Sequence, residues 1–194
     1  MKQKTKIKAL SWLLSLALLL SLVPGMGLTA YAATWSGEGT EASPYLISSL
    51  DDLKSLRDSV NGGTDYSGKY FKLTADIDCG TDNWVPIGKS EMGMADITYY
   101  DFKGTFDGNG KTVTYHVADS SDDYIGLFAF FMNGATVKNL SVAGSISGSG
   151  EDYGGIVGRN YVGTIQNCSS SVSITGSADG YGGIAGTNDG TIDH

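Results

Sequence analysis

The chain has 194 residues, with 13 Lys and Arg against 21 Asp and Glu, 28 glycines and 2 cysteines, for a formal net charge of −8. An acidic surplus repels phosphate backbones, which argues against nucleic acid as a partner. Two cysteines are too few for a small scaffold stapled by disulfides.

The first segment reads as an export leader over residues 1–32. Lys2, Lys4, Lys6 and Lys8 form a basic start, and Ala9 to Val23 is an almost unbroken apolar run. Pro24 and Gly25 end that run, and Ala30-Tyr31-Ala32 supplies the small-x-small pattern cut by a signal peptidase. The run is short for a membrane span, which needs about 20 residues. An uncleaved anchor helix is the weaker alternative. Removing the leader takes away four lysines and no acid, leaving 9 basic residues against 21 acidic ones, a net charge of −12. No later apolar stretch is long enough to span a bilayer, so no membrane span is expected after leader removal.

Residues 33–63 form an N-terminal segment around one amphipathic helix. In "SSLDDLKSLRDSVNGG" (Ser48 to Gly63), Ser49 can cap the helix with Asp52 three residues on. Leu50, Leu53, Leu56 and Val60 line one face, and Gly62 and Gly63 end it. A solenoid's open end exposes apolar interior and strand edges, and such a helix suits the role of its cap.

Residues 64–194 read as strands. "TADID" alternates, with Ala75 and Ile77 facing inward and Asp76 and Asp78 facing solvent, and "DGNG" (Asp107 to Gly110) has the composition of a tight turn. The main signal is a repeat. "YGGIVGRNYVGTIQN" (Tyr153 to Asn167) returns as "YGGIAGTNDGTIDH" (Tyr181 to His194), and a more divergent copy starts at Tyr124. By sequence match, Tyr124, Tyr153 and Tyr181 correspond, as do Gly126, Gly155 and Gly183, then Val137, Ile165 and Ile192, then Ile146 and Ile174. A period near 28 residues made of short alternating strands and glycine corners predicts an all-β, parallel β-helix with one coil per repeat. Successive coils then stack about 4.8 Å apart, tyrosine on tyrosine and asparagine on asparagine. A sandwich of hairpins is the weaker alternative, because it needs no fixed register between copies. Cys168 falls at the position of Leu140 and reads as a small buried hydrophobe. It and Cys79 are expected to stay unpaired.

The segments "GTEASPYLI", "SGKYFKLTADID", "WVPIG", "FKGTFDGNGKTV", "YIGLF" and "GGIVGRNYVGTIQNC", in that order, resemble the GLUG-repeat region of bacterial surface proteins. Similar repeats lie in the N-terminal part of immunoglobulin A-specific metalloendopeptidases. The resemblance covers essentially Gly37 to His194. It implies a right-handed β-helix, an extracellular or cell-surface place and membership in a longer polypeptide, and it carries over no catalytic residue. Phe128 and Ala129 depart from the pattern where a glycine-rich step is expected, and His194 stands where the other copies have asparagine. The last copy stops just past its first strand, which reads as truncation within the repeat.

Three kinds of chemistry bear on these residues. The zinc-protease motif needs two histidines one turn apart on a helix, and His116 and His194 are far apart. A lyase or glycosidase needs convergent carboxylates, for which Asp76, Asp78 and Asp107 could supply acids and Arg159 a base. Solvated strand positions explain those acids better. "GGIVGRN" lacks the helix that a phosphate cradle needs, so its glycines read as corners. Acids precede each tyrosine of the repeat: Asp122, Asp123, Glu151, Asp152 and Asp179. A calcium-binding edge and a solvated acidic corner both fit them, and the second is favoured because no ligand loop is present. The expected function is a non-catalytic exported module, without a cofactor or metal, that meets host or matrix glycans, proteins or cell-wall components. The alternative is a carbohydrate-active β-helix enzyme or its substrate-binding portion, with Tyr99, Tyr100 and Tyr161 stacking on sugars.

Overall fold

The computed structural model describes residues 35–94, 96–132, 134–177 and 179–194. The leader expected over residues 1–32 lies outside them. Strands are numbered in chain order. One parallel sheet runs β1 (Tyr45–Ile47), β2 (Tyr70–Leu73), β6 (Thr105–Ser120), β8 (Thr136–Gly148), β11 (Thr164–Gln166) and β15 (Thr191–Asp193). In the same sheet β3 (Ile77–Asn83) pairs with β6, and β12 (Ser169–Gly176) with β8. A second parallel sheet orders β7 (Phe128–Phe131), β10 (Val157–Asn160) and β14 (Ala185–Asn188), and β9 (Tyr153–Gly154) pairs with β13 (Tyr181–Gly182). Together they make an all-β solenoid of about five turns. An antiparallel hairpin, β4 (Lys89–Met92) with β5 (Ile97–Tyr100), interrupts it.

The interior is built from ladders set by strand alternation. Phe71 pairs with Phe106, Phe106 with Val137, Val137 with Ile165, and Ile165 with Ile192. The first four are at most 1% exposed, whereas Ile192 is 46% exposed because no described strand covers β15. Each buried member contributes about 1.5–3 kcal/mol over an exposed one. A second ladder stacks Val117, Ile146 and Ile174. The departure at Phe128 and Ala129 puts aromatic bulk in the interior: Phe128 lies 5.5 Å from Phe102 and 5.6 Å from Phe106 between ring centroids.

Corners repeat as faithfully as strands. Asn109, Asn139 and Asn167 have φ of 52°, 53° and 54°, a left-handed conformation that asparagine tolerates better than most residues. Their side chains chain the turns together. Asn167 Nδ2 donates to Asn139 Oδ1 at 2.9 Å, Asn139 Nδ2 to Asp107 Oδ1 at 3.0 Å, and Asn109 Nδ2 to the Leu73 carbonyl at 3.1 Å. "DGNG" is therefore a kink within β6, where the register to β8 shifts between Asp107 and Lys111.

The tyrosine ladder is only half right. Tyr153 and Tyr181 pair, with ring centroids 5.6 Å apart. Tyr124 does not join them, because Ile125 is the residue bridged to Tyr153. Instead Tyr124 (φ 62°) aligns with Asp152 (58°) and Gly180 (83°), its N–H bonding to Glu151 and that of Asp152 to Asp179. The shared feature at this corner is a left-handed backbone, not a side chain.

Helix α1 (Leu50–Asn61) forms as its pattern predicts. Leu53, Leu56 and Val60 are buried, and Ser49 Oγ accepts the Asp52 N–H at 3.2 Å. The Asp52 carboxylate accepts from the N–H and hydroxyl of Ser48, both at 2.9 Å, one residue ahead of the usual capping-box partner. Burial raises the Asp52 carboxyl, but the hydrogen bonds from Ser48 and Ser49 outweigh it and hold it below its ordinary value. Its contribution is thus complete above the unfolded carboxyl range and is lost as pH falls through the depressed folded value. The helix follows β1, so the parallel sheet already has its first strand at Tyr45, upstream of residue 64.

Both cysteines are free; Cys79 is buried and Cys168 half-buried. Cys168 does sit opposite Leu140, one step before the Ser169–Ser141 pair. Burial first, then the Asp78 charge, pushes the Cys79 thiol up to about 11, and burial also raises Cys168. Denatured, unreduced protein should titrate two thiols, while native protein near neutral pH should react slowly at both. Titration of none after denaturation would mean a disulfide.

Candidate functional site

An insertion between two turns of the solenoid forms one wall of a cleft. The β4–β5 hairpin leaves the turn between β3 and β6 and stands beside the corner Ser121–Ile125. Between them lies a cleft of about 440 Å³, lined by Val85, Pro86, Lys89, Ser90, Ser121, Asp122, Asp123, Tyr124, Ile125 and Phe130 among others. Phe130 is 1% exposed yet lies outside the interior cluster. It is covered from outside by Tyr99 and Tyr124, edge-on at 5.3 and 5.8 Å.

The Tyr124 corner is held from below by a glycine. A Cβ on Gly158 would lie 2.4 Å from the Tyr124 carbonyl carbon and 2.7 Å from the Asp152 carbonyl oxygen. Gly158 lies within β10, so close backbone approach explains it, not the corner expected from "GGIVGRN". A bulky residue at positive φ costs about 1–3 kcal/mol, and such strain persists only where surrounding packing enforces it. Burial first, then Tyr161, Tyr99, Asp123 and Asp152, raises the Tyr124 phenol above its ordinary value.

The five acids of the repeat part company. Asp122 and Asp123 are exposed and line the cleft. Asp123 Oδ1 accepts the Glu151 N–H at 2.8 Å, and Glu151 and Asp179 face solvent. Asp152 turns inward and is 4% exposed. Its carboxylate accepts from Arg159 Nη1 at 3.2 Å and from the Thr187 hydroxyl. Gly180, in the next turn, leaves it room: a Cβ there would lie 2.5 Å from Asp152 Oδ1. Arg159 also reaches Asp189 at 3.6 Å and lies 4.6 Å from the centre of the Tyr161 ring. Among the described residues no group of three or more His, Cys, Asp or Glu is placed to hold a metal ion.

Each of the three candidate catalytic acids has one oxygen bound to a main-chain amide. Asp76 Oδ1 accepts the Thr112 N–H, Asp78 Oδ1 the Gly80 N–H, and Asp107 Oδ1 the Asn109 N–H, each at 2.8 Å. They belong to the β3–β6 region of the long sheet, whereas Arg159 sits on β10 in the other. His116 Nδ1 lies 2.9 Å from Ser145 Oγ, and His194 is exposed. Of the aromatics proposed for sugars, Tyr99 covers Phe130, Tyr161 lies under Arg159, and Tyr100 donates to Glu91 Oε2 at 3.1 Å with Lys89 over its ring. Tyr124 and Phe130 were missed as site residues: by sequence Tyr124 matches the tyrosines of the later copies, and Phe130 stands where those copies have Arg159 and Thr187.

Residues 149–175 match the model of the GLUG motif. The chain carries a GLUG motif. The GLUG segment contains β9, β10, β11 and most of β12, so it supplies Asp152, Gly158 and Arg159 beneath the Tyr124 corner. Two relatives share 32% identity with the chain. One, of Evansella cellulosilytica, is provisionally named a Gly-rich membrane protein; it matches over 130 residues, 64% of this chain and 14% of the relative. The other is halomucin of Haloquadratum walsbyi, matching over 136 residues, 67% of this chain and 1% of the relative. The chain thus spans a small part of either. A crystal structure from Bacteroides ovatus, provisionally assigned as an immunoglobulin A1 protease, aligns at 19% identity with a TM-score of 0.45, covering 80% of this chain and 66% of the other.

Proposed function

We propose that this chain is an exported, non-catalytic surface module of a longer bacterial polypeptide, serving as a stalk, display surface or adhesive face. In this reading residues 1–32 are a cleaved leader, 33–63 carry a helix that caps the first turn, and 64–194 form the repeat. The solenoid is right-handed, with coils near 28 residues. Register supports that length in the later turns, where Thr136 pairs with Thr164 and Val157 with Ala185. The β4–β5 hairpin lengthens an earlier turn, where Tyr70 pairs with Thr105.

The observation that carries the proposal is the parallel stack of turns in register, in which each candidate catalytic acid has an oxygen bound to a main-chain amide. A stack of this kind gives length and a rigid surface, since each turn rests on its neighbours. The name of the Evansella relative, a membrane protein, supports a place at the cell envelope, and the small share of each relative that is matched supports a longer whole. Its partners would be glycans or proteins of a host or matrix, or cell-wall components. Brief protease treatment of intact cells expressing the natural gene tests the location: loss of the GLUG segment from an antibody blot is expected. Recovery of the full chain only from lysed cells, with residues 1–32 still attached, would overturn export. Release of reducing or unsaturated sugar ends from polysaccharides by the purified protein, with or without calcium, would overturn the non-catalytic assignment.

A further inference from the structure

We infer that the cleft between the β4–β5 hairpin and the Ser121–Ile125 corner binds a neutral oligosaccharide. The inference rests on the surface-module reading and gives that module its partner class. The cleft's volume of about 440 Å³ lies within the range of small-ligand sites. Its wall combines an aromatic ring with groups that alternate as hydrogen-bond donors and acceptors. Ser90, Ser121 and Asp122 are exposed in the cleft and Tyr124 is half-buried there, and among the described residues none of their side-chain oxygens carries a hydrogen bond within the protein. A sugar offers a C–H face for the ring and a rim of hydroxyls that can donate to a carboxylate and pair with serine hydroxyls.

Charge narrows the class. Lys89 is the cleft's positive group among these residues, and it is already paired with Glu91 and held over Tyr100. With Asp122 and Asp123 exposed beside it, the cleft repels uronate, sulfate and phosphate groups. Asp123 has one oxygen engaged by Glu151, which leaves Asp122 as the principal acceptor. The corner is also fixed in place before any ligand arrives. Gly158 and the left-handed backbone hold the Tyr124 ring beside Phe130, so the platform is preorganised and little ordering is needed on binding.

The test is calorimetric titration of the secreted protein with hexaoses of glucose, mannose and galactose, alongside a polyuronate hexaose, a chitosan hexaose and a lysine-rich peptide. Binding of at least one neutral hexaose is expected. Tyr124→Ala and Asp122→Asn should each weaken it by about tenfold or more, while Lys72→Ala on the other sheet leaves it unchanged. Asp122 is exposed, so its variant folds even if the strained Tyr124 corner does not tolerate alanine, and circular dichroism of both variants separates the cases. No binding by any neutral hexaose, tighter binding of the polyuronate, chitosan or peptide, or binding indifferent to Asp122→Asn would each overturn the site. These results are independent of location: protein cleaved from intact cells that binds no sugar keeps the surface reading and loses the saccharide.

Discussion

Replacing Ile165 by aspartate should unfold the solenoid. Ile165 is 1% exposed and lies between Val137 and Ile192 in parallel register, with apolar neighbours on both sides along the ladder. A carboxylate there has no cation to pair with inside the ladder. Burying it unpaired, or protonating it to bury it, costs several kcal/mol. A domain's whole stability is about 5–15 kcal/mol. The control is Ile192→Asp, the same chemical change one turn on, at a position 46% exposed. It should cost about 1 kcal/mol or less, as surface changes do. Urea unfolding of both variants reads the difference. An Ile165→Asp protein that melts like the parent would remove the ladder.

Gly144→Ala should be nearly as damaging, for a different reason. Gly144 has φ of 124°, and a Cβ on it would lie 1.8 Å from the carbonyl oxygen of Tyr115 and 2.9 Å from its carbonyl carbon. Tyr115 is paired opposite it in the long sheet, with its side chain fully buried and its hydroxyl donating to the Gly155 carbonyl at 2.8 Å. The obstructing atoms are backbone, so no rotamer change relieves the contact, and β6 and β8 must separate. Overpacking costs about 1–3 kcal/mol where side chains can adjust, and more is expected here. Gly110→Ala isolates the backbone part: its φ is 70°, but nothing lies within 4 Å of the new Cβ. That variant should lose only about 1–2 kcal/mol, the cost of left-handed backbone at a residue with a Cβ. Equal losses in urea unfolding would mean that the approach to Tyr115 is not as close as described.

Much of the fold was legible because it is written in local or repeated signals. Ser49, the apolar face through Val60 and the glycines after it define helix α1 without reference to any distant residue. The repeat supplies the ladder of Val137, Ile165 and Ile192, because equal spacing between copies becomes strand register once the copies stack. The stacked asparagines follow from the same logic. Matching letters failed at the tyrosines, because the 28-residue register runs on from Ser120–Gly148 to Ile125–Tyr153 and shifts by one only within the glycine cluster, at Phe128–Val157. Backbone pairing there follows the left-handed corner, so Tyr124 aligns with Asp152 and Gly180.

The site was the less legible part. By itself, the sequence determined a stack of parallel strands, its apolar interior, its asparagine corners and its acidic character, since each depends on alternation, spacing or composition. Only the tertiary structure decided that Asp152 turns inward to Arg159 and Thr187 while Asp122 and Asp123 face out, and that the β4–β5 hairpin stands beside the Tyr124 corner. Those outcomes depend on which inserted segment packs against which turn, and on where a missing side chain, as at Gly158 and Gly180, lets two backbones approach. Such contacts occur once in the chain. They join residues far apart in sequence, and no periodicity encodes them.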